Sequence, residues 1–290
     1  MKSRIDLLMI TRNCKNLVPS MIASLQTITV PVTAYFLDND SRDGTPDVLA
    51  GCIVDLSFPA FVLRSHRNNG FARGMNLLSL QGDGEFMFLL NPDTELRPGC
   101  LELLVERAQA DEEIGICEAR QSPREHPKAF DPNTGETTWC SGAAALIRRK
   151  VFEEVGRFDE RLYFMYCEDV DLSWKMWLSG YKCVYVRDAV VLHFTQDLTP
   201  GKRRTLENYF SFRNSLFLFY RFGGWAEREV LTGFLLRRFL SSSYSIRSKF
   251  LFVFAFIDHI RYIPYLLQTK GHWAGNKHPW VRLKETSLSH

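Results

Sequence analysis

Carboxylates gather at four places along the chain: Asp38-Asn39-Asp40, Asp93 with Glu95, Glu168-Asp169, and Asp171 two residues further on. Each cluster follows an apolar run or stands at a predicted helix start. Such grouping is costly unless cations or hydrogen-bond donors balance it. A divalent metal with a phosphate ligand would do so. Mg²⁺ and Mn²⁺ prefer oxygen, and after one or two protein carboxylates they fill their shells with water and substrate phosphates. His193 closes the apolar run "AVVLHF". It offers a nitrogen that Mn²⁺ accepts, while the plainer reading is a structural histidine at a strand end.

A second constellation is "NNGFARGMN", with Gly70, Arg73 and Gly74 but without the lysine-serine pair of a phosphate loop. Arg73 could meet a diphosphate or a base there. The helix predicted from Phe71 or Ala72 would present free amide donors to it. The bland alternative is a capped helix start.

These residues need elements to carry them. Apolar runs "IDLLMIT", "VTAYFLDND", "AFVLRS" and "FMFLLNPD" alternate with helical patterns through "LVPSMIASLQT", after Thr45, from Phe71 or Ala72, and after Pro98. That alternation predicts an α/β chain with a mostly parallel sheet and right-handed crossovers. The run before Asp93 is apolar on both faces, so its strand lies inside a covered sheet and delivers Asp93 to the carboxyl edge, where ligands bind in open α/β sheets.

The stretch "RQSPREHPKAFDPNTGETTW" reads as a long surface loop. A small-residue strand and a short helix follow it, then a helix through "EDVDLSWKMWL" with Gly180 at its end, then a strand or strand pair through "YKCVYVRDAVVLHF".

Bulk composition narrows the classes. The balance of 36 Lys+Arg against 33 Asp+Glu is too even for a general nucleic-acid binder. Seven scattered cysteines with no CxxC pair fit a reducing, cytoplasmic compartment, and the amino terminus reads as a first strand rather than an export signal. From about Leu206 the chain turns rich in Phe, Leu and Arg. Its longest uncharged apolar run, "FLFVFAFI", falls far short of the roughly 20 residues of a membrane-spanning helix. Two readings of this tail stay open: helices packed on the catalytic core or on a second copy in a homodimer, or peripheral contact with a bilayer surface.

In combination and order, "DNDSRDGT", "NNGFARGMN", "LLNPDTEL", "SGAAALIRRKVFEEVGRFDE", "FMYCEDVDLSWKMWLSGY" and "VLHF" resemble glycosyltransferase family 2, in particular its bacterial rhamnosyltransferase-like branch. The resemblance covers about residues 3 to 220. It implies a GT-A fold with a helical C-terminal extension, a nucleotide-diphosphate-sugar donor of the dTDP or UDP type, Mn²⁺ or Mg²⁺, and inversion at the anomeric carbon.

By position it implies that Thr11, Asp38, Asp40, Asn69, Gly70, Arg73 and Asn91 serve the nucleotide, with Asp38 and Asp40 the acidic pair after the second strand. Asp93 is the last residue of the metal motif, here Asn-Pro-Asp, and His193 joins it. Asp169 matches the catalytic base and Glu168 its acidic neighbour. Trp139, Ser141, Gly142 and Arg213 face sugar or acceptor. Tyr163, Phe164 and Tyr166 line the acceptor side or simply pack the core.

The resulting expectation is a catalytic domain over 1–204, with a nucleotide-sugar half to about 95 and an acceptor half beyond it, and an extension over 205–290. The acceptor would be a growing glycan or polyprenyl-linked sugar, met at the inner face of the cytoplasmic membrane. A non-catalytic nucleotide-sugar-binding or scaffolding subunit is the alternative. A nucleotidyltransferase is disfavoured because "TRNCKN" lacks a glycine-rich basic loop after the first strand.

Overall fold

The computed structural model describes residues 4–126, 128–194, 202–223, 246–271, 273 and 277–281. One eight-stranded sheet carries the site. In chain order its strands are β1 (Ile5–Thr11), β2 (Val32–Asn39), β3 (Ala60–Ser65), β4 (Phe86–Leu90), β5 (Thr94–Leu96), β6 (Ile114–Ser122), β7 (Ala144–Arg148) and β8 (Lys182–His193). They lie in the order β3-β2-β1-β4-β7-β6-β8-β5.

The pairings β1–β2, β1–β4, β2–β3 and β6–β8 are parallel, whereas β4–β7, β6–β7 and β5–β8 are antiparallel. The first half is therefore the parallel sheet expected. The second half is mixed, because the long stretch after β6 crosses the carboxyl edge and enters β7 from that side, so β7 must run backwards. Every residue of β4 is buried, as a strand covered on both faces must be. Its ladder ends at Leu90, however, and Asp93 stands three residues beyond in a turn that Thr94 closes on the Asn91 carbonyl through its amide (3.3 Å) and hydroxyl (2.6 Å).

Helices α1 (Val18–Leu25), α2 (Thr45–Cys52), α3 (Gly70–Ser79), α4 (Cys100–Gln109), α5 (Arg149–Glu154) and α6 (Glu168–Leu178) flank the sheet. One core layer joins Val18, Leu25, Leu49 and Leu104 to one face of the strands; the other joins Met75, Leu78, Trp174 and Met176 to the opposite face. Gly180, just past α6, has φ +86°, the left-handed conformation that ends a helix.

Helix α7 (Lys202–Phe222) adds Phe217, Leu218 and Phe219 to the second layer, and α9 (Ile263–Lys270) adds Leu266. Between them in sequence, α8 (Ile246–Ile260) packs on α7 through Phe252 and Ala255 against Phe212 and Leu216. The described helices of the tail thus pack against the second core layer and against one another. No single described helix is long and apolar enough to cross a membrane; the bent pair Lys249–Ile260 and Ile263–Lys270, at 57°, passes by length and composition only together.

Candidate active site

Asp93 and His193 meet through sheet geometry. Thr94 and His193 are partners in the β5–β8 ladder, and the Phe194 amide donates to the Asp93 carbonyl at 2.9 Å. The Asp93 Oδ1 and His193 Nε2 atoms are 3.3 Å apart in a nearly buried position. The other imidazole nitrogen, Nδ1, is 2.6 Å from Gln121 Oε1. Gln121 Nε2 donates to Glu118 Oε1 at 3.3 Å, which fixes the amide with its oxygen toward the ring.

Nδ1 must therefore carry the hydrogen, and in the neutral ring the Nε2 lone pair faces a carboxylate oxygen. The contact is satisfied by a second ring proton or by a cation shared between the two side chains. The pair suits a divalent metal completed by phosphate and water, and among the described residues no group of three or more His, Cys, Asp or Glu is gathered to hold one alone.

The second centre is the start of α6. Tyr166 and Cys167 lead into it with φ of +69° and +67°, a left-handed pair of non-glycine residues that the surrounding packing must hold. Asn214 does so by donating to both the Met165 and Tyr166 carbonyls, at 2.8 and 2.7 Å. Glu168 is buried with Oε2 unpartnered. Burial, then the neighbouring Asp169 charge, pushes its pKa well above the usual carboxylate range. Burial also raises Asp169, but the Gly142 and Val170 amides donate to its carboxylate at 3.2 and 2.9 Å, and Lys128 draws it back down. The environment therefore makes Asp169 the easier of the two to ionise.

Asp171 does something else. Burial disfavours its charge, but Arg221 and then Lys175 override that and lower its pKa. Arg221 donates to it at 2.7 Å, and Tyr163, buried in the core, donates its hydroxyl at 3.2 Å.

The two centres are stitched together by backbone. The Asn91 amide donates to the Ala143 carbonyl at 2.8 Å, one residue from the Gly142 amide that holds Asp169. A side chain at Gly142 would meet the Phe71 ring at 2.9 Å, so this segment passes closely between α3 and α6. Ser141, buried, turns its hydroxyl to the Ala143 amide. Trp139 is buried beneath Lys128, whose ammonium lies 4.6 Å from the ring centroid.

On the nucleotide side, Thr11 and Asp38 are register partners at the carboxyl ends of β1 and β2. Asp38 is buried with Oδ1 unpartnered, an acceptor still open to a ligand donor. Asp40 sits at φ +66° and lies 3.7 Å from Arg42.

Three of the expected site residues are held by bonds within the fold. Asn69 is tied into the fold, its amide and side chain bonding Asn39 Oδ1 at 2.8 and 3.1 Å and its side chain bonding Ser65 at 2.8 Å. The amides opening α3 are not free either: Gly70 donates to Asn68 Oδ1 at 3.0 Å and Phe71 to the Phe164 carbonyl at 2.7 Å, so Gly70 marks a close crossing that a Cβ would violate at 2.2 Å. Arg213, expected to face sugar or acceptor, has its donors engaged within the fold. Its donors go to Asp258 Oδ2 (3.0 Å), Asn214 (3.1 Å) and the Leu162 carbonyl (3.2 Å), which bolts α7 to α8 and to the acceptor-side loop. Arg73, half exposed with Nε unpartnered, lies 3.9 Å from Glu160 and remains a candidate donor-side cation.

Sequence reasoning missed Lys128, Glu118, Gln121 and Arg221. Only Glu118 left a trace, as a charge inside the otherwise apolar start of "IGICEARQS".

With this geometry in place, the comparisons define the class: a glycosyltransferase on a GT-A scaffold. Residues 6–139 match the profile of glycosyl transferase family 2. The N-acetylglucosaminyl-diphospho-decaprenol L-rhamnosyltransferase of Mycobacterium tuberculosis is 29% identical over 59% of this chain and 70% of its own. Rhamnosyltransferase WbbL of Escherichia coli is 41% identical over 19% of this chain and 21% of its own. In fold, the chain is similar to a Pyrobaculum calidifontis mannosyltransferase in complex with GDP-Man and Mn²⁺, with TM-score 0.60, 15% identity, and coverage of 97% and 78%. It is also similar to Staphylococcus aureus TarS 1–349, with TM-score 0.57, 15% identity, and coverage of 94% and 92%. The segment 6–139 thus carries the glycosyl transferase family 2 pattern, and the chain is similar to bacterial rhamnosyltransferases.

Proposed function

We propose that this enzyme moves rhamnose, or alternatively a hexose or galactofuranose, from a dTDP- or UDP-linked donor to a polyprenyl-diphosphate-linked glycan during cell-envelope polysaccharide synthesis. The observation that carries the reading is the stitch through Ala143 and Gly142, which joins the Asp93–His193 pair to Asp169. Rhamnosyl transfer to a diphospho-polyprenol-linked sugar is the activity named for the mycobacterial relative.

Asp169 takes the acceptor hydroxyl proton as that oxygen bonds the anomeric carbon, and the bond from that carbon to the diphosphate oxygen breaks on the opposite face, with inversion. Mn²⁺ or Mg²⁺, when bound, neutralises charge on the departing diphosphate. Asp93 and His193 would hold it, Asp38 and Thr11 would face the nucleoside, and Arg73 would add positive charge.

A thermal-shift panel of dTDP-, UDP- and GDP-sugars with and without Mn²⁺ tests the reading. A donor at 100 times its Kd stabilises the fold by about 2.7 kcal/mol. The expected result is a Mn²⁺-dependent shift with dTDP-rhamnose that disappears in Asp93→Ala; a shift equally large in chelator refutes the metal pair.

The reading places the enzyme at the inner face of the cytoplasmic membrane. On α8, Phe250, Phe254 and Ile257 are 62%, 63% and 56% exposed and recur at helical spacing, with exposed Arg261 at the end of the stripe. An apolar stripe edged by cations suits an anionic interface. Serine at all three positions should abolish flotation with phosphatidylglycerol-containing vesicles and leave solution transfer to a short-chain acceptor intact. Undiminished flotation would remove the stripe from membrane contact and favour a homodimer seam.

A further inference from the structure

We propose that Lys128 is a positioning residue for the catalytic base, acting through the backbone segment that holds Asp169. The inference rests on Asp169 being that base. Lys128 comes from the long loop after β6, and its side chain is nearly fully buried against Glu118 of β6. Its ammonium donates to the Glu118 carboxylate and, at 2.9 Å, to the Trp139 carbonyl.

From Trp139 the chain runs three residues to the Gly142 amide that grips Asp169. Both ends of this run are pinned. Ser173 Oγ accepts from the Cys140 amide at 3.0 Å and donates to the Asp169 carbonyl at 2.7 Å. Lys128 thus fixes one end of a strap whose other end sets the base, and its charge also favours the ionised Asp169 carboxyl.

The charge is placed as well as the strap. Asp169 is neighboured by Glu168 on its own helix and by the Cys167 thiol before it, both of which oppose its ionisation when charged. Lys128 opposes them from the loop side. Around Lys128 stand the Cys140 and Cys183 thiols and the Glu118 carboxylate. Burial brings its pKa down to about 8, which still leaves the ammonium charged at neutral pH. Glu118, through Gln121, connects with His193, so one buried polar chain runs from the metal-side pair to the base-side strap.

The sign of the effect follows. Removing the ammonium makes Asp169 harder to ionise, so the acidic limb of the transfer rate moves to higher pH. A structural role alone would lower activity without moving that limb.

The test uses the full chain with dTDP-rhamnose and a synthetic N-acetylglucosaminyl-diphospho-polyprenol. Lys128→Met is expected to lower kcat about tenfold or more at pH 7, shift the acidic limb upward, and leave the donor KM within about twofold. Lys128→Arg should return the limb to the wild-type position. An unmoved limb in Lys128→Met overturns the proposal.

Should Glu118, left unpaired, prevent Lys128→Met from folding, the double variant Lys128→Gln/Glu118→Gln removes both charges and keeps polar partners, and the same limb is read in it. If the wild type transfers nothing with these probes, the donor and acceptor reading fails, and a substrate-free cycle still decides on Lys128. Asp169→Asn should raise the urea midpoint more in the doubly substituted background than in the wild type. Additive midpoints would show that Lys128 and Asp169 do not interact.

Discussion

Asp169→Asn is expected to lower transfer by between about 10²- and 10⁴-fold while leaving the Mn²⁺-dependent donor shift in place. The substituted amide keeps the size of the side chain, but the Gly142 and Val170 amides bond different oxygens of the carboxylate, so its single oxygen accepts from one of them and the other loses its partner. What is lost is the acceptor of the hydroxyl proton.

The same variant should be more stable than the wild type at neutral pH, because a buried charge beside Glu168 is removed. The sign can be checked by titration. Burial raises the folded pKa of Asp169 above the ordinary 3.8, so the protonated form is favoured in the fold. Below that ordinary value the carboxyl is neutral folded and unfolded, and the difference between wild type and variant should not change with pH. As pH rises through the raised folded value the wild type loses stability that the uncharged amide of the variant cannot lose, and the two curves separate. A difference that stays the same at every pH would mean that the carboxylate is solvated and unstrained, a poor description of a base. Loss of donor binding in the variant would instead move Asp169 to the donor side.

Arg221→Met should destabilise the protein by about 3–5 kcal/mol, the range for removing one partner of a buried ion pair. Arg221 is 2% exposed, and its guanidinium reaches Asp171 at 2.7 Å, Asp159, and the Thr269 hydroxyl at 3.3 Å. Without it Asp171 keeps Lys175 at 3.3 Å and the Tyr163 hydroxyl, but one buried carboxylate oxygen loses its charged donor. Urea midpoints measure the loss. A cost under about 1 kcal/mol, the size of an exposed pair, would show that Lys175 suffices. Transfer should fall with stability, since Asp171 is two residues from the base and on the same helix turn.

What could be read without coordinates was what local pattern determines. The solid apolar run Phe86–Leu90 named a covered strand, and "EDVDLSWKMWL" named a helix whose first turn bears the acids. Asp93 and His193 were legible as separate strand-end residues. Their meeting depends on an antiparallel ladder between β5 and β8, far apart in sequence, which no local pattern reports.

What was missed shares that cause. Arg213 looked free because its partner Asp258 lies 45 residues on. The opening of α3 looked open because Phe164, which closes it, belongs to a loop after β7. The direction of β7 is set by the path of the preceding loop, and that path follows buried contacts such as Lys128 with Glu118 rather than its own prolines.

The Arg221 clamp also has a consequence for how such enzymes can be recombined. The expected cut near residue 204 would sever α7 from the helix that bears the base, and would leave Asp171 and Asp159 without the cation they share. A chimera that borrows another relative's tail to relocate the chemistry must therefore keep its junction beyond Phe222, or exchange Arg221, Asp171 and Asp159 as a set. The tail is in this sense inherited with the active site, and the two cannot be exchanged independently at the boundary that composition suggests.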